Sequence, residues 1–415
     1  MTDDLSEIYR REFGRCTATL VRILGDINLA EDAVAEAFVI ASERWSITGT
    51  PPNPGGWITT TARNRAIDRL RREAIRDDRH LAAHQLVQNM EPNNNPELDD
   101  LDNFVDVVAD DQLRLMFLCC HPAINADAQV ALTLRLIGGL EVPEIARAFV
   151  VPEVTMAQRL VRAKRKLRDN HAPYRIPRPA ELPERLAPVL AAILLIFNEG
   201  HTATSGDELL RADLTNEAIR LGWVLVELMP DEHEAIGLLA LMLLTDARRA
   251  ARVAPDGTMV RLADQDRSRW DSNLIAEGHA LVRACLRHNQ PGPFQIQAAI
   301  AAVHADASSA AATDWAQIVA LYDQLYVLRP NGVVAVNRAV AIAECNGPEA
   351  GLVALGAVDD TTLDTYQPYH AARADLLARV GYTAEALVAY DRALELTTNP
   401  SEQKFLGAQR AAVAS

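Results

Sequence analysis

The stretch Trp57-Ile58-Thr59-Thr60-Thr61-Ala62-Arg63-Asn64-Arg65-Ala66-Ile67-Asp68-Arg69-Leu70-Arg71-Arg72 limits what this chain can fold into more than any other segment. Wound as a helix, it carries Ile58, Ala62, Ala66 and Leu70 in one apolar row. Arg65, Arg69, Arg72 and Arg76 fall at i, i+4, i+7 and i+11 and make a second row. The apolar row has to lie on a core. The guanidinium row faces water or a polyanion, and it suits phosphate because Arg stays charged and forks onto phosphate oxygens. A second basic helix follows at Gln158-Arg159-Leu160-Val161-Arg162-Ala163-Lys164-Arg165-Lys166-Leu167. One such stripe is ordinarily a solvated face. Two on one chain, the second within a helix-turn-helix pattern, point to a protein that grips DNA at two places.

Composition sets the frame for those helices. The chain has 415 residues, enough for two or three domains, and 49% of them are apolar. Leu and Ala dominate and β-branched runs are short, so the expected fold class is all-α. The net charge of −15 argues against indiscriminate coating of nucleic acid. Residues 1–175 hold 22 Lys and Arg against 26 Asp and Glu; residues 176–415 hold 19 against 30. The basic character is therefore local, as in 159–168, with six cations and no acid.

Five cysteines, with no C-x-x-C pair, predict no disulfide framework and a reducing cytoplasm. Cys119-Cys120-His121 resembles a metal motif only superficially, because neighbouring helical side chains diverge by about 100°. No metal or cofactor is expected. The start, Met1-Thr2-Asp3-Asp4, is acidic, and the longest apolar run, Leu186–Phe197, is interrupted by Pro188 and is too short to span a bilayer. A soluble, cytoplasmic protein is the expectation.

Four segments follow along the chain. Residues 1–86 read as helices, with Ile8, Cys16, Leu20, Ile23 and Leu24 on one face and a second helix opening at Ala30-Glu31-Asp32 and running to Trp45. A Gly/Pro loop over residues 49–56 precedes the Trp57 helix. Residues 87–109 form an acidic linker, with eight carboxylates and no Lys or Arg between Glu91 and Asp111; it is a solvated tether or a mimic of DNA that shields the basic helices. In 110–173, Val142, Ile145, Ala146 and Phe149 form a short helix, Val150–Glu153 a turn, and Thr155–Lys166 a second helix with Met156, Leu160, Ala163 and Leu167 inward. That is a helix-turn-helix. Residues 174–415 are acidic and helical, and Gly381, Ala386, Tyr390 and Ala393 sit at tetratricopeptide-repeat offsets. Gly347 lies one 34-residue period before Gly381, and Tyr322 two periods before Tyr390.

These residues resemble an extracytoplasmic-function sigma factor, the promoter-specificity subunit of bacterial RNA polymerase, of the class with a C-terminal tetratricopeptide-like extension. Ala30-Glu31-Asp32-Ala33-Val34-Ala35-Glu36-Ala37-Phe38 is similar to the segment that binds the polymerase clamp, and Trp57–Arg72 to the promoter-opening helix. Residues 110–172 resemble the reader of the upstream promoter element. The family often has Gln at the position of Ala35 and Lys-Ser at those of Ala157-Gln158, so base preference is not carried over.

The resemblance implies core RNA polymerase and promoter DNA as partners. Asp32, Glu36 and Phe38 would dock the polymerase, although Phe38 would equally serve as a core aromatic. Arg63, Arg65, Arg69 and Arg72 would hold phosphates, and Asn64 would read a base edge or cap a turn. The loop Ser46–Gly56 would wall a pocket for an extruded base, with Trp45 and Trp57 either stacking there or packing inside. Thr155, Gln158 and Arg159 would reach base edges, with Arg162, Arg165 and Lys166 on phosphates. The chain needs no covalent chemistry, and a protein or peptide would occupy the repeat-like tail. The rival reading is a polymerase-independent helix-turn-helix regulator with a repeat-type sensing domain. An enzyme built on Glu199, His201 and Asp207 lacks any supporting phosphate loop, nucleophile elbow or H-E-x-x-H pair.

Overall fold

A computed structural model describes residues 2–76, 111–149, 151–178, 180–202, 210–358, 361–397 and 399–414. The acidic linker 87–109, Val150 of the turn and Asp207 lie outside the described residues, and so does the side chain of Arg76. The described residues are all-α apart from one isolated bridge, Val253 to Met259. Two compact units divide at Ile193/Leu194.

The first unit opens with α1 (Thr2–Leu24), α2 (Ile27–Thr48) and α3 (Pro54–Arg76). Phe13, Leu20, Ala30, Val34, Ala37, Ile58 and Ala62 are buried between them, and the alanines let the helix backbones approach closely. A fully buried ring such as Phe13 contributes about 1.5–3 kcal/mol by leaving water. Three boundaries here differ from the sequence expectation, the α2 helix running on past Trp45 to Thr48. The α2 helix starts at Ile27, not Ala30, because the Asp26 carboxylate accepts from the amides of Asn28 and Leu29, so its first turn holds no acid. The α3 helix starts at Pro54, ahead of Trp57. Proline lacks the amide that a first turn leaves unbonded, and Asn53 Oδ1 accepts from Gly56 N at 2.9 Å. The loop between the helices shrinks to residues 49–53.

The rest of this unit is α4 (111–119), α5 (Ala126–Leu136), α6 (Val142–Ala148) and α7 (Glu153–Asp169). Leu115, Met116, Leu132, Leu136, Ile145 and Met156 fill its core. The α7 helix begins two residues earlier than the sequence suggested, with Pro152 at its N-cap. Asp111 departs from the picture of a solvated tether. It is fully buried and receives Arg22 Nε at 2.8 Å and Arg114 Nη1 at 2.7 Å.

The chain continues through α8 (Leu182–His201), which contains the division between the units. No helix among the described residues is long and apolar enough to cross a membrane. The second unit holds α9 (Ala212–Leu228), α10 (His233–Asp246), α11 (Ser272–Leu286) and α12 (Pro293–Asp306), then α13 (Trp315–Leu328) and α14 (Gly332–Asn346). It ends with α15 (Pro348–Gly356), α16 (Gln367–Val380), α17 (Thr383–Leu396) and α18 (Pro400–Ala414). Gly347 (φ 95°) and Gly381 (φ 92°) turn the chain between α14 and α15 and between α16 and α17, a conformation glycine adopts without the Cβ penalty. Ala386, Tyr390 and Ala393, three of the residues at the repeat offsets, are buried together with Ala374 in the α16–α17 pair.

Candidate nucleic-acid interface

The two faces of α3 are as the periodicity requires. Ile58, Ala62 and Ala66 are buried, while Asn64, Arg65, Arg69, Arg71 and Arg72 are exposed and Arg63 is half-buried. Arg72 Nε donates to the Asp68 carbonyl at 3.1 Å, which leaves the end of its guanidinium outward. Arg69 Nη1 sits 3.2 Å from an Asp32 carboxylate oxygen. That exposed pair joins a candidate phosphate contact to a candidate polymerase contact, and contributes at most about 1 kcal/mol. Trp45 is buried and meets half-buried Trp57 edge-on with centroids 5.3 Å apart; its indole N–H has no partner among the described residues.

The α2 helix separates its candidates. Phe38 lies inside, against Tyr9 with centroids 4.7 Å apart. Asp32 and Glu36 are exposed and share their face with Val39, Glu43 and Ile47. Val39 is 61% and Ile47 87% exposed, so an apolar and acidic strip stands open to water. Sequence reasoning missed both residues, although their spacing from Asp32 carried the signal.

In α7, Met156, Leu160, Ala163 and Leu167 are buried, and Gln158, Arg162, Arg165 and Lys166 are exposed. Thr155 and Arg159 are half-buried; Arg159 lies 3.4 Å from Asp127 and over the Phe149 ring at 5.4 Å. Val154 and Val161 stand exposed beside Gln158 and offer methyl groups of the kind that read thymine.

The unanticipated feature is the junction of the two modules. Glu31, next to Asp32, faces inward and is almost buried. It receives Arg135 Nε at 2.5 Å and Lys164 Nζ at 2.9 Å, from α5 and α7. Burial alone would raise its pKa, but the attraction and hydrogen bonds of Lys164 and Arg135 outweigh that and hold the carboxyl below its ordinary value. The Arg135 guanidinium also covers the Phe13 ring at 5.4 Å. At the same seam, Gly14 has no room for a side chain, since a Cβ there would meet the Ile137 carbonyl oxygen at 2.5 Å. The Tyr174 hydroxyl reaches the Ala18 carbonyl at 2.6 Å and that of Asp111 at 3.0 Å. Such long-range pairs carry no sequence signature.

Two exposed basic helix faces, one of them the second helix of a helix-turn-helix, define a DNA-binding protein with two reading modules. Residues 8–75 match sigma-70 region 2, residues 114–167 match sigma-70 region 4, and residues 185–286 match a family of unknown function, DUF6596. Together these make the architecture of the extracytoplasmic-function sigma factors, and the chain belongs to that family. It is 42% identical over 390 residues to an uncharacterized protein of Rhizobium meliloti (strain 1021), covering 94% of this chain and 91% of that protein. No solved structure matches the chain.

Proposed function

We propose that the protein binds core RNA polymerase and directs it to specific promoters, with its C-terminal unit acting as a regulatory or protein-interaction module. The observation that carries this reading is the outward arginine row of α3 within the region 2 match, beside the open strip of α2. Asp32, Glu36, Val39 and Ile47 dock the polymerase, and Phe38 holds α2 in place from below. Arg63, Arg65, Arg69 and Arg72 hold the backbone beside the start-proximal element, Asn64 reads or caps, and the loop 49–53 walls the pocket for an extruded base. Unstacking costs a few kcal/mol per step, which contacts to the freed strand offset. On α7, Thr155, Gln158 and Arg159 meet base edges, and Arg162, Arg165 and Lys166 position the helix on phosphates.

The domain limits that go with this reading are 1–86, 87–109, 110–173 and 174–415. The chain itself performs no covalent chemistry, and the setting is cytoplasmic. The Glu31 junction belongs to the free protein. Polymerase and promoter hold the two modules apart, so binding breaks the contacts of Glu31 with Arg135 and Lys164.

The test is binding of labelled full-length protein to core polymerase, followed by anisotropy. Saturable binding that the double variant D32A/I47A weakens at least tenfold is expected. Absence of binding by the unaltered protein would remove the polymerase reading and leave the helix-turn-helix regulator.

A further inference from the structure

The second unit carries a half-open pocket of about 620 Å³ that the sigma reading does not use. Helices α12, α13, α14, α16, α17 and α18 contribute to its wall, and residues 247–271 cross it as a strap. The strap is a built element. Its turn closes through Ala254 N to Thr258 O at 2.9 Å and Val260 N to Arg252 O at 2.8 Å. Its tip binds α18 through Lys404 Nζ to Asp256 Oδ2 at 2.7 Å, and Arg261 lies 3.7 Å from Asp375 on α16. The strap thus forms one side of the pocket, to which it supplies Arg261, Leu262, Ala263 and Arg267. The pocket's volume lies in the range of small-molecule sites.

The chemistry of the wall is uneven. At one end Arg261 pairs with Asp264 at 2.8 Å and lies 3.7 Å from Asp375, and Arg379 reaches both Glu344 and Asp375, so the cations there are all matched by carboxylates. At the other, Arg267 spends Nη1 on the carbonyls of His304 (2.6 Å) and Ala307 (2.8 Å) and stacks on Trp270 at 4.4 Å, yet no carboxylate pairs with it among the described residues. Half-buried Arg248 lies behind it and makes no side-chain hydrogen bond or ion pair among the described residues. Burial and the neighbouring Arg267 charge push Arg248 down to about 10, and burial with both arginines pushes His304 down to about 4, so His304 is neutral at pH 7. Arg267 lines the pocket with no carboxylate partner among the described residues and Arg248 adds positive charge behind the wall, a combination that favours an anion.

Between the ends lie Trp315, Tyr322, Tyr390 and Phe405, with Trp315 edge-on to His304 at 5.2 Å. Trp315, Tyr322, Asn337 and Gln409 add further hydrogen-bonding side chains to the wall. We infer that this pocket binds a small organic anion, its carboxylate or phosphate at Arg267 and its apolar, planar body against Trp315 and Tyr322. The inference does not depend on the sigma reading, since binding needs neither polymerase nor promoter.

The experiment titrates the full-length protein with anilinonaphthalene sulfonate, read by fluorescence, with the neutral phenylnaphthylamine as control. Saturable one-site binding is expected, displaced by naphthoate or naphthyl phosphate; whichever competes better identifies the acid group. The Arg267→Gln variant should weaken the sulfonate about tenfold, the loss of one charge-assisted contact, and leave the neutral probe unchanged, while Arg267→Lys should recover most of the affinity. The Val340→Trp variant, which fills the pocket from α14 and leaves Arg267 in the sequence, should abolish both probes with helix content intact. Sulfonate binding that is absent, or that persists unchanged in Val340→Trp, would overturn the inference, whatever the fold of the Arg267 variants.

Discussion

Glu31 sits in the segment that resembles the polymerase-binding motif, yet its carboxylate is spent on Arg135 and Lys164. Removing its charge leaves two half-buried cations unpaired, so Glu31→Gln should destabilise the first unit by about 2 kcal/mol, measured by urea unfolding. The pH dependence has a definite sign. The folded carboxyl titrates below the ordinary value of 4.5, so its contribution is complete above that pH and disappears as pH falls through the lower folded value. The acid limb of a Tm-against-pH curve should therefore be shallower in Glu31→Gln than in the unaltered protein. Arg65 is exposed on the row read from spacing alone, and Arg65→Ala should weaken promoter binding alike for all sequences and lower the salt slope by about 1, read by anisotropy at several ionic strengths. The arginine row was legible because helical period converts spacing directly into a face. The partners of Glu31 were not, because they lie 104 and 133 residues away.

At the scale of elements, the two reading modules meet where α1 passes Ile137, and at Gly14 the approach leaves no room for a Cβ. The Gly14→Ala variant must displace the Ile137 backbone; small-angle scattering should show a larger radius of gyration with unchanged helical circular dichroism. Gly381 presents the opposite case. A Cβ there meets nothing within 4 Å, so Gly381→Ala costs only the left-handed backbone, about 1–2 kcal/mol by urea unfolding. Helix existence and inward faces were readable from apolar period and from the Gly347–Gly381 repeat. The starts of α2 and α3 were misplaced by three residues each, because the side chains of Asp26 and Asn53 set them, not the hydrophobic pattern. The strap over the second unit gave no periodic signal at all, since 3-10 turns and a single bridge follow local hydrogen bonds.

At the scale of the whole molecule, the chain couples a pair of sigma modules to a helical unit that carries its own pocket. The modules were legible because their function imposes charge on one face of a helix and apolar residues on the other. The pocket was not, because it forms only where the strap brings Arg267 against His304, Trp315 and Tyr390 on separate helices. The central claim, that this chain directs polymerase to promoters, is tested most directly by run-off transcription with bacterial core polymerase on DNA from upstream of its own gene. The full chain should yield a transcript of defined length that core polymerase alone does not make, and the double variant Arg65→Ala/Arg69→Ala should reduce it at least tenfold. Equal transcription with and without the protein would contradict the account.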